Sequence, residues 1–129
     1  MNTGKELKKG FVLVVEDEPI MRKIAIKVLT DEGYDVLIAE NGCQGIDLFK
    51  SHYKDIELVL LDMVLPDHSG KDVYIEMKKI NPDVKVLLNS GYSQDRRLVE
   101  AFELGIKHFI EKPYTLEKLS NAIHKAVNG

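Results

Sequence analysis

Five chemically active side chains follow apolar runs of this sequence, each close to the point where its run ends. The carboxylates of Glu16 and Asp17 follow the first run, that of Asp62 follows the third, and Ser90 and Lys112 follow the fourth and fifth. Carboxylates held close together repel one another unless a cation lies between them. Mg²⁺ accepts one or two carboxylates and takes its remaining ligands from water and phosphate oxygens. The residue types therefore indicate a site for Mg²⁺ and a phosphoryl group.

Asp62 is the best placed of these residues to accept a phosphoryl group, because it directly follows the predicted central strand. An aspartate carboxylate can attack phosphorus and form an aspartyl-phosphate. Lys112 would then neutralise one phosphoryl oxygen, and the hydroxyl of Ser90 would donate a hydrogen bond to another. Each residue taken alone is also typical of a solvated turn or a helix start. Their shared position after predicted strands favours the site.

Continuous apolar runs rich in β-branched residues predict five buried strands, at 11–15, 36–39, 58–61, 84–88 and 109–110. Apolar residues at helical spacing predict a helix after each strand. The marker residues are Met21, Ile24, Ala25, Val28 and Leu29, then Cys43, Ile46 and Phe49, then Val73, Met77 and Ile80, then Leu98, Ala101 and Phe102, then Leu116, Leu119, Ile123 and Ala126. Gly33 and Gly105 are expected to end the first and fourth helices, and segment 63–70, which contains Pro66, is expected to be a loop.

Strands that alternate with helices through short connections form a parallel sheet covered by helices on both faces. The sequence therefore predicts an α/β protein, a flavodoxin-like (βα)5 three-layer sandwich with strand order 2-1-3-4-5. Ligands of such sheets bind at the carboxyl ends of the strands, where the active side chains would meet. We expect residues 1–9 to be a flexible lead-in or linker and residues 10–129 to form one domain.

The composition is that of an ordinary globular protein, with 44% hydrophobic and 30% charged residues among 129. Lys and Arg number 18 and Asp and Glu number 21, so the net charge of −3 leaves no broad basic surface for nucleic acid. No apolar run approaches the roughly 20 residues of a membrane-spanning helix. The single cysteine, Cys43, excludes an internal disulfide. We expect a cytoplasmic domain that contacts neither nucleic acid nor membrane.

The sequence resembles the receiver domains of two-component response regulators over residues 10–127. The resemblance is specific because each motif has the expected residue type after the expected strand, and part of the predicted strand order comes from it. The matching motifs are VVEDEP at 14–19, LLDMVLP at 60–66 with Gly70, NSGY at 89–92, and the stretch from Gly105 through Phe109 to Lys112, Pro113 and Tyr114.

The resemblance implies a role for each residue around the metal. Asp62 would be the phosphoacceptor, and Glu16 and Asp17 would be the acidic pair that holds Mg²⁺ (or Mn²⁺). Asp17 would bind the metal directly and Glu16 through water. The backbone carbonyl of Val64 would complete the protein ligands, and Lys112 would bind the phosphoryl group.

The resemblance also implies a switch. An aspartyl-phosphate adds negative charge and acceptor oxygens, which would attract the hydroxyl of Ser90 and leave space for the ring of Phe109 to turn inward. The face formed by the fourth helix, the fifth strand and the fifth helix would then change. The peptide bond between Lys112 and Pro113 is expected to be cis.

The implied function is that of a phosphoacceptor in a two-component phosphorelay. The donor would be a histidine kinase or a His-containing phosphotransfer domain, and a downstream output protein or domain would read the altered face. Such a domain is not an enzyme beyond self-catalysed phosphorylation and slow autodephosphorylation, unless it is part of a hybrid histidine kinase. Segments 63–66 and 89–93 resemble most the receivers attached to hybrid sensor kinases.

Three residues depart from the commoner pattern of the family. Glu16 stands where an aspartate is more frequent, Ser90 where a threonine is, and Phe109 where a tyrosine is. The longer acidic side chain changes the geometry around a metal. A phenylalanine cannot form a hydrogen bond when it turns inward.

Val64 and Tyr92 bear on the lifetime of the phosphoryl group. They lie two residues after Asp62 and Ser90 and are expected to border the route of an attacking water. Neither is an acid or an amide that would orient water, so we expect a comparatively long-lived phosphoryl group. Simple local packing of both side chains is the alternative interpretation.

Other functions could use a similar strand-end aspartate. A phosphatase of the haloacid dehalogenase type resembles an Asp-x-Asp pattern, but the third position here is Val64. A flavodoxin-type cofactor binder needs a glycine-rich loop after the first strand, where the acidic run 16–18 would repel phosphate. A degenerate receiver that acts only as an interaction module is the third alternative, against which the presence of Asp62 and Lys112 argues.

The four histidines are expected in solvated positions, in loops or on helix surfaces: His52, His68, His108 and His124.

Overall fold

The apolar runs of the sequence form parallel strands because their side chains are buried on both faces of one sheet. The computed structural model describes residues 9–91 and 96–129. The strands are β1 (Phe11–Val15), β2 (Asp35–Ala39), β3 (Ile56–Asp62), β4 (Val86–Ser90) and β5 (His108–Glu111). The helices are α1 (Pro19–Asp31), α2 (Gly42–His52), α3 (Gly70–Ile80), α4 (Arg96–Glu103) and α5 (Leu116–Asn128), with a short 3₁₀ helix at Tyr53–Asp55.

The strands have the order β2-β1-β3-β4-β5, and every neighbouring pair is parallel. The predicted α/β, flavodoxin-like fold is therefore confirmed. β1 and β3 are adjacent, with Val15 paired with Leu61. The residues that follow this pair consequently emerge side by side at the carboxyl edge of the sheet.

Each face of the sheet has its own hydrophobic core, because side chains alternate between faces along a strand. On one face Leu61 packs in a cluster with Met77 of α3, and on the other Leu60 packs in a cluster with Ile123 of α5. Full burial of one such side chain contributes about 1.5–3 kcal/mol. The two cores fix the strands, so the polar groups at the strand ends have defined positions.

The fourth strand is displaced from its predicted position by two residues, to Val86–Ser90 instead of 84–88. Val84 belongs to the preceding turn, in which its backbone N–H donates to the carbonyl of Asn81 at 3.1 Å. The side chain of Asn81 also accepts from the backbone N–H of Asp83 at 3.0 Å. Local hydrogen bonding of this kind competes with strand pairing, which the apolar pattern alone does not reveal.

Other boundaries also differ from the sequence prediction, among them the start of β3, at Ile56 instead of 58. α3 begins at Gly70, the last residue of the predicted loop, and Ser69 caps it by accepting from the backbone N–H of Asp72 at 3.1 Å. β5 begins at His108, so this histidine lies in a strand and not in a loop or on a helix surface. The 3₁₀ helix before β3 was absent from the prediction because three residues carry too little periodicity.

The predicted lead-in, residues 1–9, lies outside the described part of the chain except for Lys9, whose backbone N–H donates to the carbonyl of Gly33 at 3.3 Å. The described helices and strands run from Phe11 to Asn128, and the extent of the domain over 10–129 stays a prediction. Within residues 9–91 and 96–129, no helix combines the length and apolar character needed to span a membrane.

We expect Gly70→Ala to destabilise the protein by about 1–3 kcal/mol. A Cβ at this position would lie 2.5 Å from the carbonyl oxygen of Asp62 and 2.9 Å from the Cα of Met63, both in the backbone. The free energy of unfolding in urea measures the effect. Gly91→Ala is the matched control, because a Cβ there meets nothing within 4 Å among residues 9–91 and 96–129. Equal stabilities of the two variants would contradict the close packing of α3 on the end of β3.

Candidate functional site

A buried ion cluster lies at the carboxyl ends of β1, β3 and β5. The ammonium of Lys112 lies 3.0 Å from Oε1 of Glu16 and 3.0 Å from Oδ2 of Asp62, whose side chains are 2% and 6% exposed. It lies equally close, at 3.0 Å, to Oε1 of Glu18, which is exposed. The peptide bond between Lys112 and Pro113 is cis. The fold thus brings two of the predicted acids and the predicted lysine into direct contact.

The loop between β1 and α1 is held by hydrogen bonds to its backbone. The N–H of Glu16 donates to the carbonyl of Ala39 in β2 at 3.0 Å, and its carboxylate accepts from the N–H of Glu18 at 3.1 Å. Nη1 of Arg22 donates to the carbonyl oxygens of Glu16 and Asp17, at 3.0 and 2.9 Å. The sequence analysis missed Glu18 and Arg22 as site residues. The signal for Arg22 was its position one turn into α1, within reach of the acidic loop.

Burial and neighbouring charges shift the pKa of three groups here. Burial and the carboxylate of Asp62 raise the pKa of Glu16 to about 7. Burial lowers the pKa of Lys112, but its interactions with Glu18, Asp62 and Glu16 outweigh burial, so the pKa is raised. Burial and Glu16 raise the pKa of Tyr114 to about 12. Lys112 is therefore a permanent cation at neutral pH, whereas Glu16 exchanges its proton near neutrality.

The acidic group has the donor chemistry of a magnesium site. Carboxylate oxygens of Glu16, Asp17 and Asp62 lie within 4.8 Å of one another. Asp17 is exposed while the other two are buried, so the group opens to solvent on one side. When ionised, the three carboxylates carry more negative charge than Lys112 balances. An all-oxygen acidic set open to water is what Mg²⁺ prefers in proteins, so the residues present fit the predicted metal.

Val64 lies in the loop after β3, next to the buried aspartate. Its backbone N–H donates to Oδ1 of Asp62 at 3.2 Å, and a bridge between Val64 and Ser69 closes the loop. Val64 is apolar and 49% exposed. Tyr92, the other residue predicted to affect the phosphoryl lifetime, lies outside the described residues.

Ser90 and Phe109 lie on the same face of the sheet. Phe109 pairs with Leu88 across the β4–β5 ladder, and Ser90 is two residues further along β4. Ser90 is buried, and its carbonyl accepts from the backbone N–H of Lys112 at 2.7 Å. The ring of Phe109 is half-buried and lies edge-on to Phe102, with centroids 6.4 Å apart and planes at 85°. The two predicted switch residues are thus on adjacent strands above a common core.

Asn89 is a buried polar residue that the sequence analysis did not assign to the site. It pairs with Asp62 in the β3–β4 ladder and is 1% exposed. Its side-chain amide nitrogen and oxygen have no hydrogen-bond partner among the described residues. An unpaired buried amide costs about 1–3 kcal/mol, a cost that lies here directly beside the acidic group.

The comparisons with known proteins agree on one family. The sequence matches the family model described as "Response regulator receiver domain" over residues 12–124. The chemotaxis protein CheY of Bacillus subtilis is 31% identical over 118 residues, which cover 91% of this chain and 97% of CheY. The sensor kinase CckA of Brucella abortus is 30% identical over 115 residues, which cover 87% of this chain and 12% of the kinase. The crystal structure of a response regulator receiver domain protein from Clostridium thermocellum matches with a TM-score of 0.85 and 31% identity, covering 92% of this chain and 94% of that one.

We expect the metal-free protein to lose stability as the pH rises from about 4.5 to about 7, because the folded pKa of Glu16 lies above its ordinary value of 4.5. The folded state holds this proton more tightly than the unfolded chain, so stability is full below the ordinary value and falls as the carboxyl ionises. The loss in unfolding free energy is on the order of 2 kcal/mol. Urea unfolding in a chelating buffer across this pH range measures it.

Glu16→Gln should remove this part of the pH dependence. Glu103→Gln is the matched control, because Glu103 is an exposed residue of α4. Identical pH profiles for Glu16→Gln and the unaltered protein would contradict the assignment of the titrating group.

Proposed function

Because this chain belongs to the family of response regulator receiver domains, we propose that Asp62 is the residue on which it accepts a phosphoryl group. The observation that carries the proposal is the 3.0 Å contact between the ammonium of Lys112 and the carboxylate of Asp62 at the carboxyl edge of the sheet. A preorganised cation beside a strand-end carboxylate stabilises the charge that develops on a transferring phosphoryl group. The family has a phosphoacceptor role in two-component signalling.

The proposed reaction transfers a phosphoryl group from a phosphohistidine of a histidine kinase or of a phosphotransfer domain. A carboxylate oxygen of Asp62 attacks phosphorus, the new O–P bond forms as the P–N bond breaks, and the histidine nitrogen leaves with the bonding electron pair. Lys112 moves its contact from the carboxylates to a phosphoryl oxygen. Mg²⁺ or Mn²⁺, held by Glu16, Asp17, Asp62 and the carbonyl of Val64, would neutralise phosphoryl charge when bound.

We assign the switch to Ser90 and Phe109. The aspartyl-phosphate carries more negative charge than the free carboxylate and offers new acceptor oxygens. The hydroxyl of Ser90 moves to donate to one of them, and the ring of Phe109 turns from its edge-on contact with Phe102 into the space left behind. The position of Ser90 and Phe109 on one face of adjacent strands supports this coupling. The change is a shift between two populated arrangements of the same fold.

The surface formed by α4, β5 and α5 would then present the output. Val99 and Phe102 of α4 are 57% and 43% exposed, which gives a downstream protein or domain apolar anchors to contact.

The domain would act as a signalling phosphoacceptor, with only self-catalysed phosphorylation and slow dephosphorylation of its own. We also propose a cytoplasmic location, in which the exposed thiol of Cys43 stays reduced. Val64 supplies no acid or base, so a phosphatase function has no support from the site.

Asp62→Asn should abolish phosphorylation by a small acyl phosphate such as acetyl phosphate in the presence of Mg²⁺, because an amide cannot form the acyl-phosphate bond. Intact mass spectrometry detects the added phosphoryl group. Asp83→Asn, an exposed turn residue, is the matched control and should be phosphorylated normally. Beryllofluoride with Mg²⁺ should shift the NMR signals of Ser90 and Phe109 in the control but not in Asp62→Asn. Phosphorylation that persists in Asp62→Asn would overturn the proposed acceptor.

We expect the phosphoryl group to be long-lived, because Val64, whose backbone N–H contacts Asp62, is half-exposed and carries no acid or amide that would orient water. Val64→Gln should shorten the half-life of the phosphoryl group by roughly tenfold, since an amide can orient an attacking water. This is less than the roughly 10²–10⁴-fold that a general base contributes, because an amide does not take up the proton. Val64→Ile, which keeps the position apolar, is the control. Loss of the phosphoryl group is followed by mass spectrometry in buffered Mg²⁺. A half-life of seconds in the unaltered protein would refute this expectation.

A further inference from the structure

A second group of metal-ligating side chains lies outside the acidic site. Cys43, at the start of α2, faces Asp67 and His68 of the loop between β3 and α3, and their ligand atoms lie within 4.8 Å of one another. Sγ of Cys43 is 4.0 Å from Nε2 of His68, which is 3.9 Å from Oδ2 of Asp67. Cys43 lies 24 and 25 positions from Asp67 and His68 in the sequence, so its proximity to this adjacent pair is a product of the fold.

Hydrogen bonds position the side chain of Asp67, and close packing positions that of His68, beside the start of α2. The carboxylate of Asp67 accepts from the backbone N–H of Gly42 at 2.7 Å and from that of Cys43 at 2.9 Å. Gly42 lets His68 approach, because a Cβ there would lie 2.8 Å from Cδ2 of the imidazole. Asn41 fixes the same helix end by accepting from the backbone N–H of Gln44 at 2.8 Å. The three residues therefore lie where the start of α2 packs against the loop between β3 and α3, although their ligand atoms face solvent.

The donor chemistry differs from that of the acidic site. A thiolate, an imidazole and a carboxylate are the ligand types of zinc sites, whereas Mg²⁺ prefers oxygen alone. Sulfur and nitrogen ligands of a tetrahedral zinc, at about 2.3 and 2.0–2.1 Å from the metal, lie about 3.5 Å apart. The observed 4.0 Å between Cys43 and His68 needs only a small side-chain adjustment. All three residues are exposed, which leaves a fourth position for water.

We propose that Cys43, Asp67 and His68 form a binding site for a divalent transition metal of the zinc class, separate from the magnesium site. Desolvation raises the pKa of Asp67, but hydrogen bonds from the backbone of Cys43 and Gly42 together lower it by more. The pKa of Asp67 is therefore below its ordinary value. The carboxylate is thus ionised and already oriented by the helix end. Binding releases the thiol proton of Cys43 to solvent and leaves all three ligands in their metal-binding forms.

A metal at this position would fasten the start of α2 to the loop that follows Asp62. That loop contains Val64, whose N–H contacts the carboxylate of Asp62 at 3.2 Å. The metal would add a crosslink between the loop and α2, in addition to the two hydrogen bonds that the carboxylate of Asp67 accepts. The consequence is a domain whose loop beside the phosphorylation site stiffens when the metal is bound.

Cobalt titration of the full chain under reducing conditions tests the site. Co²⁺ added to the chelator-treated protein should give a thiolate-to-cobalt charge-transfer band that saturates at one metal per chain, and Zn²⁺ should remove the band by competition. Cys43→Ser should abolish the band. His68→Gln and Asp67→Asn should each weaken Co²⁺ binding by more than about 100-fold, beyond the roughly 10–100-fold that loss of an outer-sphere partner costs. His124→Gln should leave the band unchanged, because His124 does not belong to this group.

The result that overturns the proposal is equally direct. It is overturned if no charge-transfer band forms, if the band survives unchanged in both His68→Gln and Asp67→Asn, or if one metal is bound between two chains in sedimentation measurements. His68→Gln keeps the test decisive if Asp67→Asn disturbs the helix end, because the side chain of His68 is 41% exposed. Circular dichroism of each variant verifies the fold.

Discussion

One ammonium group shared by carboxylates from different strands is the interaction on which the rest of the site depends. Lys112 follows β5, Glu16 follows β1 and Asp62 ends β3, yet both acids lie 3.0 Å from the same nitrogen. Removing one partner of a buried ion pair costs about 3–5 kcal/mol, because the remaining charge stays buried. The three groups meet only if β1 and β3 are neighbours and β5 lies beyond β4. The strand order of the sheet is therefore also the condition for the charge cluster.

The ion cluster holds less positive charge than its carboxylates carry when they are ionised. Lys112 offsets part of the negative charge of the buried acids, and burial first and the nearby carboxylate of Asp62 second still raise the pKa of Glu16 to about 7. A fully balanced cluster would gain little from binding a further cation. Here Asp17 stands exposed beside the buried acids, so further cations can reach the group from solvent. The electrostatic deficit and the opening to water together suit a site that is loaded only transiently.

The sequence was most informative where long apolar runs or special backbone geometry constrained the chain. The α/β fold, the strand order and the acidic edge were all predictable, and Gly33 and Gly105, the predicted helix ends, have φ angles of +94° and +118°. The position of β4 was not predictable, since the turn at Asn81 depends on a side-chain hydrogen bond. Arg22 escaped notice for a related reason, because its partners are backbone carbonyls that carry no sequence signature.

The edge-on contact of Phe102 and Phe109 stabilises the present arrangement of the output surface. Edge-to-face ring pairs contribute about 0.5–1.5 kcal/mol, and this pair would be lost in the proposed inward turn of Phe109. A partner that places an apolar group against the freed ring of Phe102 would replace the lost contact and so favour the proposed inward arrangement. By linkage, such a partner must also strengthen the affinity of the domain for whatever stabilises that arrangement at Asp62. A partner bound to the output surface would thus help to set how readily Asp62 is phosphorylated.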